Sequence, residues 1–303
     1  MSWASWGAAV LIDKFKPKTK TPDELIEEAW KKEASLILRS QQGITQSEYK
    51  ESYAEVYKLY ESIYTKFKYS LALNRLAMLI ADYAKFTSMF IDKAKSPTDK
   101  DKMKKYAIDL FNKATQFFDQ AIREMEKDPD KDNEVKKINY YKTKNNKALH
   151  NFKGLIITEL KEILVPPDVS GSIKILEELC ESGYAMGCYY LGGVLYECSK
   201  DLQIGNVNKR KWLRDAIVNL EKSNSISDRT EKVNPINREN TNRLIRLCEE
   251  ELSKLGKSVT EQSYEGAGGS SQLKRTSRTT KSRKHRKRVK RLHKKSRRGR
   301  SIK

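Results

Sequence analysis

Apolar residues recur every three or four positions over most of this chain, the spacing that lines one face of an α-helix, and polar punctuation between the runs marks where each helix begins. Thr21-Pro22-Asp23-Glu24 sets a hydroxyl at the N-cap, a proline at the first helical position and a carboxylate three residues after the cap. The hydroxyl accepts from an orphan N–H of the first turn and the carboxylate returns a bond to the cap, which predicts a helix over about 22–40 that stops near Gly43. Thr45 and Glu48 repeat the box and open a second helix. Along it Tyr49, Tyr53, Val56, Tyr57, Tyr60, Ile63, Tyr64, Phe67 and Leu71 fall at spacings of three and four. That stripe is expected to be core, not a base-stacking platform. Residues 71–91 are apolar nearly all round, which predicts the most buried helix of the N-terminal half.

Ser96-Pro97-Thr98-Asp99 marks another start, and Tyr106, Leu110, Phe111, Ala114, Phe117, Phe118, Ala121, Ile122 and Met125 carry its apolar face to a stop at Asp128-Pro129. A further helix is predicted over about 133–163, ending before Pro166-Pro167. Neither proline donates a backbone hydrogen bond and each restricts its predecessor, so the pair is the expected internal boundary. Shorter helices follow over about 170–182, 185–199, 208–223 and 235–255, the last opening at Asn234-Pro235. No stretch reads as a strand of any length. The pattern predicts an all-α fold, an antiparallel helix-hairpin array in solenoid or irregular-bundle form. Its expected parts are an apolar N-terminal segment (1–20), two helical regions (21–165 and 168–256), and a disordered linker with a basic tail (257–303).

Residues 172–223 read SIKILEELCESGYAMGCYYLGGVLYE, then a loop, then KRKWLRDAIVNLEKS. This resembles a Sel1-like repeat, a relative of the tetratricopeptide repeat in which paired antiparallel helices stack into a solenoid. The likeness rests on Gly183 at the turn, Ala185 or Met186 and Gly187 at the close helix contact, Leu191, Gly192 and Tyr196 on the first helix, and Trp212, Leu213 and Ala216 on the second. Small residues are needed where such helices touch and large ones fill the spaces between turns. It covers about one and a half repeats, and the segment 198–208 replaces the family's glycine-rich loop. Stacked repeats need three or more units, so the upstream helices must complete the array; FFDQAIREMEKDPD, at 117–130, resembles the end of a tetratricopeptide unit through Ala121 and Pro129. The resemblance implies an interaction scaffold for proteins or peptides, with no catalytic residues to carry over. The spacing of Cys180 and Cys188 is also similar to the cysteine-rich branch of Sel1-like proteins, where such a pair closes a disulfide, and a turn at Gly183 would bring the two near each other. Cys198 and Cys248 have no evident partners and no export signal is present, so four free thiols in a cytosolic or nuclear chain are the expectation.

Charge changes the picture at one end. The chain of 303 residues carries a formal net charge of +21, with 61 Lys plus Arg against 40 Asp plus Glu. Seventeen of the basic residues, and no acid, lie in 274–303, which leaves a nearly neutral body. A scaffold with a cationic arm is implied, not a basic surface throughout. The arm begins after the flexible run Gly266-Ala267-Gly268-Gly269-Ser270-Ser271. It offers Lys274, Arg275, Arg278, Lys281, Arg283, Lys284, Arg286, Lys287, Arg288, Lys290, Arg291, Lys294, Lys295, Arg297, Arg298 and Arg300 for phosphate contact. Apart from Val289, Leu292 and Ile302 it has little to bury, so it cannot fold alone, and residues 284–295 are expected to become helical on a duplex. Cations of this density replace condensed counterions and give tight, sequence-independent, salt-sensitive binding. The same clusters satisfy a nuclear localisation signal or attract acidic lipid. Ser277, Ser282 and Ser296, each before an arginine, and Thr276, Thr279 and Thr280 are candidate phosphorylation sites that would lower this charge, or else solubilising spacers.

Other chemistry is sparse. No Gly-rich phosphate loop ending in Lys-Ser or Lys-Thr, no H-E-x-x-H, no C-x-x-C and no strand leading into G-x-G-x-x-G occurs. His150, the one histidine of the body, sits on a helix that reads as amphipathic and is expected to be a surface or satisfied core residue. No run of 18 apolar residues exists. Residues 1–12, with Trp3 and Trp6, lack the leading charge and long apolar centre of a secretory signal; they are expected to dock back on the body, or else on a partner or membrane interface. No cofactor or metal is expected. The reading is a non-enzymatic helical scaffold that binds a protein partner through its body and nucleic acid through its tail, in nucleus or virion, since basic Ser/Arg/Lys tails on lysine-rich helical proteins look like those of some large DNA viruses. The alternative is a nuclear or cytoplasmic repeat adaptor whose tail serves only for import.

Overall fold

The computed structural model describes residues 20–157, 160–201, 203–229 and 236–262. Among them are nine helices: α1 (Pro22–Gln41), α2 (Gln46–Phe67), α3 (Ser70–Ser88), α4 (Pro97–Lys127), α5 (Glu134–Lys153), α6 (Val169–Glu181), α7 (Ala185–Ser199), α8 (Asn206–Arg229) and α9 (Arg238–Gln262). The described residues up to Gly256 belong to one compact unit.

The helix starts follow from their caps. At α1 the Thr21 hydroxyl accepts from Glu24 N–H at 3.3 Å while Glu24 Oε2 accepts from Thr21 N–H at 2.7 Å. The same reciprocal pair closes between Thr45 and Glu48 at α2. Ser96 caps α4 through Asp99 N–H, and Asn133 caps α5 through the N–H groups of Val135 and Lys136. Each satisfies donors the helix cannot use internally, worth about 1 kcal/mol apiece. The Asn234-Pro235 start predicted for the last helix lies outside the described residues.

Two apolar cores fill the body. The first joins α1–α4, with α3 at its centre: Leu73, Leu76, Leu79, Ile80 and Ala84 are fully enclosed. The aromatic stripe of α2 divides in two. Tyr49, Val56, Tyr60 and Ile63 are core, but Tyr53, Tyr57, Tyr64 and Phe67 are only half-buried along its edge. The second core joins α5–α9 and includes Ala148, Leu176, Leu191, Tyr196, Leu213, Ala216 and Cys248, with Trp212 packed against it.

The structure corrects the long helix predicted over 133–163. Helix α5 stops at Lys153, and the chain turns into an antiparallel hairpin of β1 (Leu155–Ile157) and β2 (Glu162–Val165), the only strands among the described residues. The cause is Gly154, which stands at φ 57° and ψ −156°, a conformation open essentially to glycine alone. A side chain there would meet Val165 O at 2.4 Å and Pro167 N at 2.9 Å. The hairpin folds back so that Leu155 and Ile157 enter the first core, while α5 before it packs on both cores. Pro166-Pro167 therefore ends a hairpin and does not mark the line between the cores.

Gly183 is exposed at its turn and Trp212 is half-buried, whereas Gly187, Leu191, Gly192, Tyr196, Leu213 and Ala216 are buried. A Cβ on Gly187 would lie 2.7 Å from Leu179 Cβ, and one on Gly192 would lie 2.6 Å from Leu220 Cγ and 3.0 Å from Ala216 O, so α7 meets α6 and α8 through bare backbone. Gly192→Leu is expected to force α7 and α8 apart and cost about 1–3 kcal/mol by overpacking, read from chemical denaturation; an unchanged midpoint would remove this contact from the account. Gly183 itself adopts φ 78°. The turn brings the Cα atoms of Cys180 and Cys188 to 4.5 Å, and the two are joined by a disulfide, which corrects the expectation of four free thiols. The free pair is Cys198, half-buried, and Cys248, buried.

Candidate functional site

The tail cations, from Lys274 to Arg300, and Trp3 and Trp6 lie outside the described residues. Leu191, Tyr196 and Ala216 lie within the second core, and Gly187 and Gly192 are buried where the helices meet. Among the described residues no group of three His, Cys, Asp or Glu could hold a metal ion, and no helix is long and apolar enough to cross a membrane. Two concavities stand out among the described residues.

The larger, about 720 Å³, lies between the α2–α3 turn and the α4–α5 connection. Several of its polar groups are engaged with one another. Lys136 Nζ bridges Asp128 at 2.9 Å and Asp130 at 3.2 Å, Tyr140 donates to Glu126 at 2.9 Å, and Tyr69 donates to Asp23.

The smaller, about 380 Å³, is built from α3, α4, α5 and the start of β1. Its floor is His150, stacked on Phe111 with ring centroids 3.9 Å apart and tilted against Phe118 at 5.6 Å. The His150 Nε2 lies 3.1 Å from Thr115 Oγ1 and 3.3 Å from Phe111 O, which fixes the ring. Asp82 and Lys85 on α3 and Lys153 at the end of α5 stand exposed at its mouth. None of these three makes an ion pair among the described residues. Although Asp82 is exposed as a whole residue, the neighbouring walls of the recess partly desolvate its carboxyl and raise its pKa, while Lys85 and Lys153 pull it down. Asn146, also lining the recess, donates to Asn74 Oδ1 at 3.3 Å.

Burial drives the His150 pKa down to about 4 from 6.5, with the positive charge of Lys153 adding to the effect and the Phe111 carbonyl opposing it. An imidazole whose folded pKa is depressed contributes stability that is complete above the unfolded value and is lost as pH falls from 6.5 toward 4. At about 1.36 kcal/mol per unit the protein should be about 2 kcal/mol less stable at pH 5 than at pH 7.5 through this ring. Glu33, which is buried and accepts from Tyr60 at 2.6 Å, and Asp82 both have raised values and work in the opposite sense, since acid removes the cost of their charges. Denaturation of the protein and of His150→Gln across this range isolates the imidazole. A parallel pH dependence in the two would exclude a buried neutral ring.

The sequence reading missed this recess because its members come from separate helices and a strand. The available signal was Gly154 directly after a half-amphipathic helix, and it went unused. No family model and no curated protein matches the chain.

Proposed function

We propose that the protein is a non-enzymatic helical scaffold whose body binds a protein partner and whose tail holds nucleic acid without reading its sequence, as in a packaging protein of a virion or of chromatin. The observation that carries this reading is the segregation of charge: seventeen Lys and Arg without one acid in residues 274–303, against a body of 44 basic and 40 acidic residues. A polyelectrolyte arm of this density finds its best partner in another polyelectrolyte of opposite sign. The paired helices in contact through Gly187 and Gly192 support the Sel1-like reading of the body and thus its use as an interaction scaffold.

The alternative of an adaptor whose tail serves only for nuclear import draws on the same Lys and Arg clusters. The Cys180–Cys188 disulfide favours the virion reading, because disulfides persist on virions and in other oxidising settings and are rare in nucleus and cytosol. Filter binding of the full chain and of a chain ending at Gly269 to duplex DNA, single-stranded RNA and heparin tests the proposal. Loss of all three with the tail supports it. Equal retention by the shortened chain, or no binding by either, refutes it.

A further inference from the structure

We propose that the β1–β2 hairpin and the recess beside it form the docking site for the protein partner, which binds as an extended segment of alternating apolar and acidic side chains laid along β1. This deepens the scaffold reading and rests on it.

Four observations converge. The sheet has two strands, so β1 has a strand neighbour on one side only. The recess opens along Gly154, Leu155 and Ile156, and no residue of β2 lines it, so an occupant of the recess would meet β1 and not β2. An incoming strand would pair with the edge of β1 that has no strand neighbour and place one side chain in the hollow, the general arrangement of strand addition.

The outer surface of the hairpin is apolar where a solvent-facing strand would normally be polar. Ile156 is 40% exposed and Ile163 58%, and the two are direct cross-strand partners; Leu160 adds 48%. Exposed aliphatic side chains gathered in this way mark a surface that is covered in use. Its rim is cationic: Lys85, Lys153 and Lys161 are exposed and make no ion pair among the described residues, whereas Lys104, on the same side of the body, is spent on Glu162 at 2.8 Å. Lys161 is also held at φ 51°, a left-handed backbone unusual outside glycine. Asp82 is the one acid in the recess, and it can accept a backbone N–H of the incoming strand.

This chemistry selects among occupants. A second copy of the same face would bring Lys85, Lys153 and Lys161 against their own counterparts, and like charges across an interface oppose association. Nucleic acid would meet the lysines but find isoleucine and leucine where bases need flat aromatic faces. A segment with glutamate or aspartate on one side and valine or isoleucine on the other satisfies the rim and the aliphatic patch together.

The test is hydrogen–deuterium exchange of the full chain with a short soluble peptide of alternating glutamate and valine, paired with fluorescence anisotropy of that peptide. The expected result is slowed exchange at 155–157 and an affinity weakened at least tenfold by Ile156→Thr and by Lys85→Glu, but not by Lys222→Glu on α8. A peptide of alternating lysine and valine should not bind. Both informative substitutions are on the surface, so the fold is retained. Binding that survives both of them belongs to the tail or elsewhere and overturns the proposal. Protection at another place on the body refutes this site and leaves the scaffold reading standing, whereas no protection anywhere in 20–256 counts against both. Protection of 155–157 by single-stranded RNA in place of the peptide would reassign the surface to nucleic acid.

Discussion

Gly154→Ala is expected to destabilise the protein by about 3–5 kcal/mol, because this glycine alone among the described ones combines a positive φ with a close approach of backbone atoms. Two costs add. Alanine at φ 57° and ψ −156° occupies a backbone region that side chains rarely enter, about 1–3 kcal/mol in itself. The added carbon would also lie 2.4 Å from Val165 O and 2.9 Å from Pro167 N, and both are backbone atoms that cannot swing aside as a flexible side chain could. Relief requires the hairpin to lift from α5, which would withdraw Leu155 and Ile157 from the first core and strain the bond from Asp168 N–H to Asn151 O, 2.9 Å, that anchors the return of the chain. Against a typical total of about 5–15 kcal/mol this is a large fraction. Thermal and urea denaturation followed by circular dichroism measure it. A loss under about 1 kcal/mol would mean that the hairpin tolerates displacement and that Gly154 does not dictate the end of α5.

The second large effect is on binding. If the tail acts through phosphate neutralisation, log affinity should fall linearly with log salt at a slope of about −0.9 for each duplex phosphate contacted, or about −0.7 on single strands. Six to ten contacts would be an ordinary yield for an arm this basic, giving roughly a thousandfold loss or more between 50 and 200 mM salt. Replacing Arg283, Lys284, Arg286, Lys287 and Arg288 by glutamine should flatten the slope by about four on duplex DNA and leave discrimination between sequences unchanged, because phosphate contacts position without specifying. A preference for one sequence that persists at high salt would instead require base edges to be read by the body, and the neutral scaffold with a cationic arm would have to be abandoned.

The helix starts were legible because they are local. Thr21, Thr45 and Ser96 act within four residues of themselves, so the sequence contains both halves of each cap. The apolar face of α4 was legible for the same reason: a spacing of three and four over thirty-one residues admits no other element. The hairpin was not. LIITELKEILV offers apolar residues at spacings that suit a helix as well as two short strands, and what decides between them is Gly154 meeting the backbone of Val165 and Pro167, a contact known only once the chain has folded back. The recess was illegible for a related reason, since Asp82, His150 and Ile156 become neighbours only through the packing of α3 against α5 and β1. The division of the α2 aromatics was beyond periodicity too: Tyr53 and Tyr60 share a stripe seven residues apart, yet one is enclosed with Glu33 and the other reaches Tyr83 at the edge of the core.

Helix α5 serves both cores at once. Tyr141, Ala148 and Phe152 pack into the second, while His150 lies on Phe111 of the first and Asn146 bonds to Asn74 there. Losing either core strips one face of this helix and exposes apolar surface that the other cannot cover. The two halves are thus thermodynamically coupled through a shared wall and cannot behave as independent foldons. A cut at the double proline, which looks in the sequence like a safe place to divide the chain, would leave the C-terminal piece without the helix that closes its core.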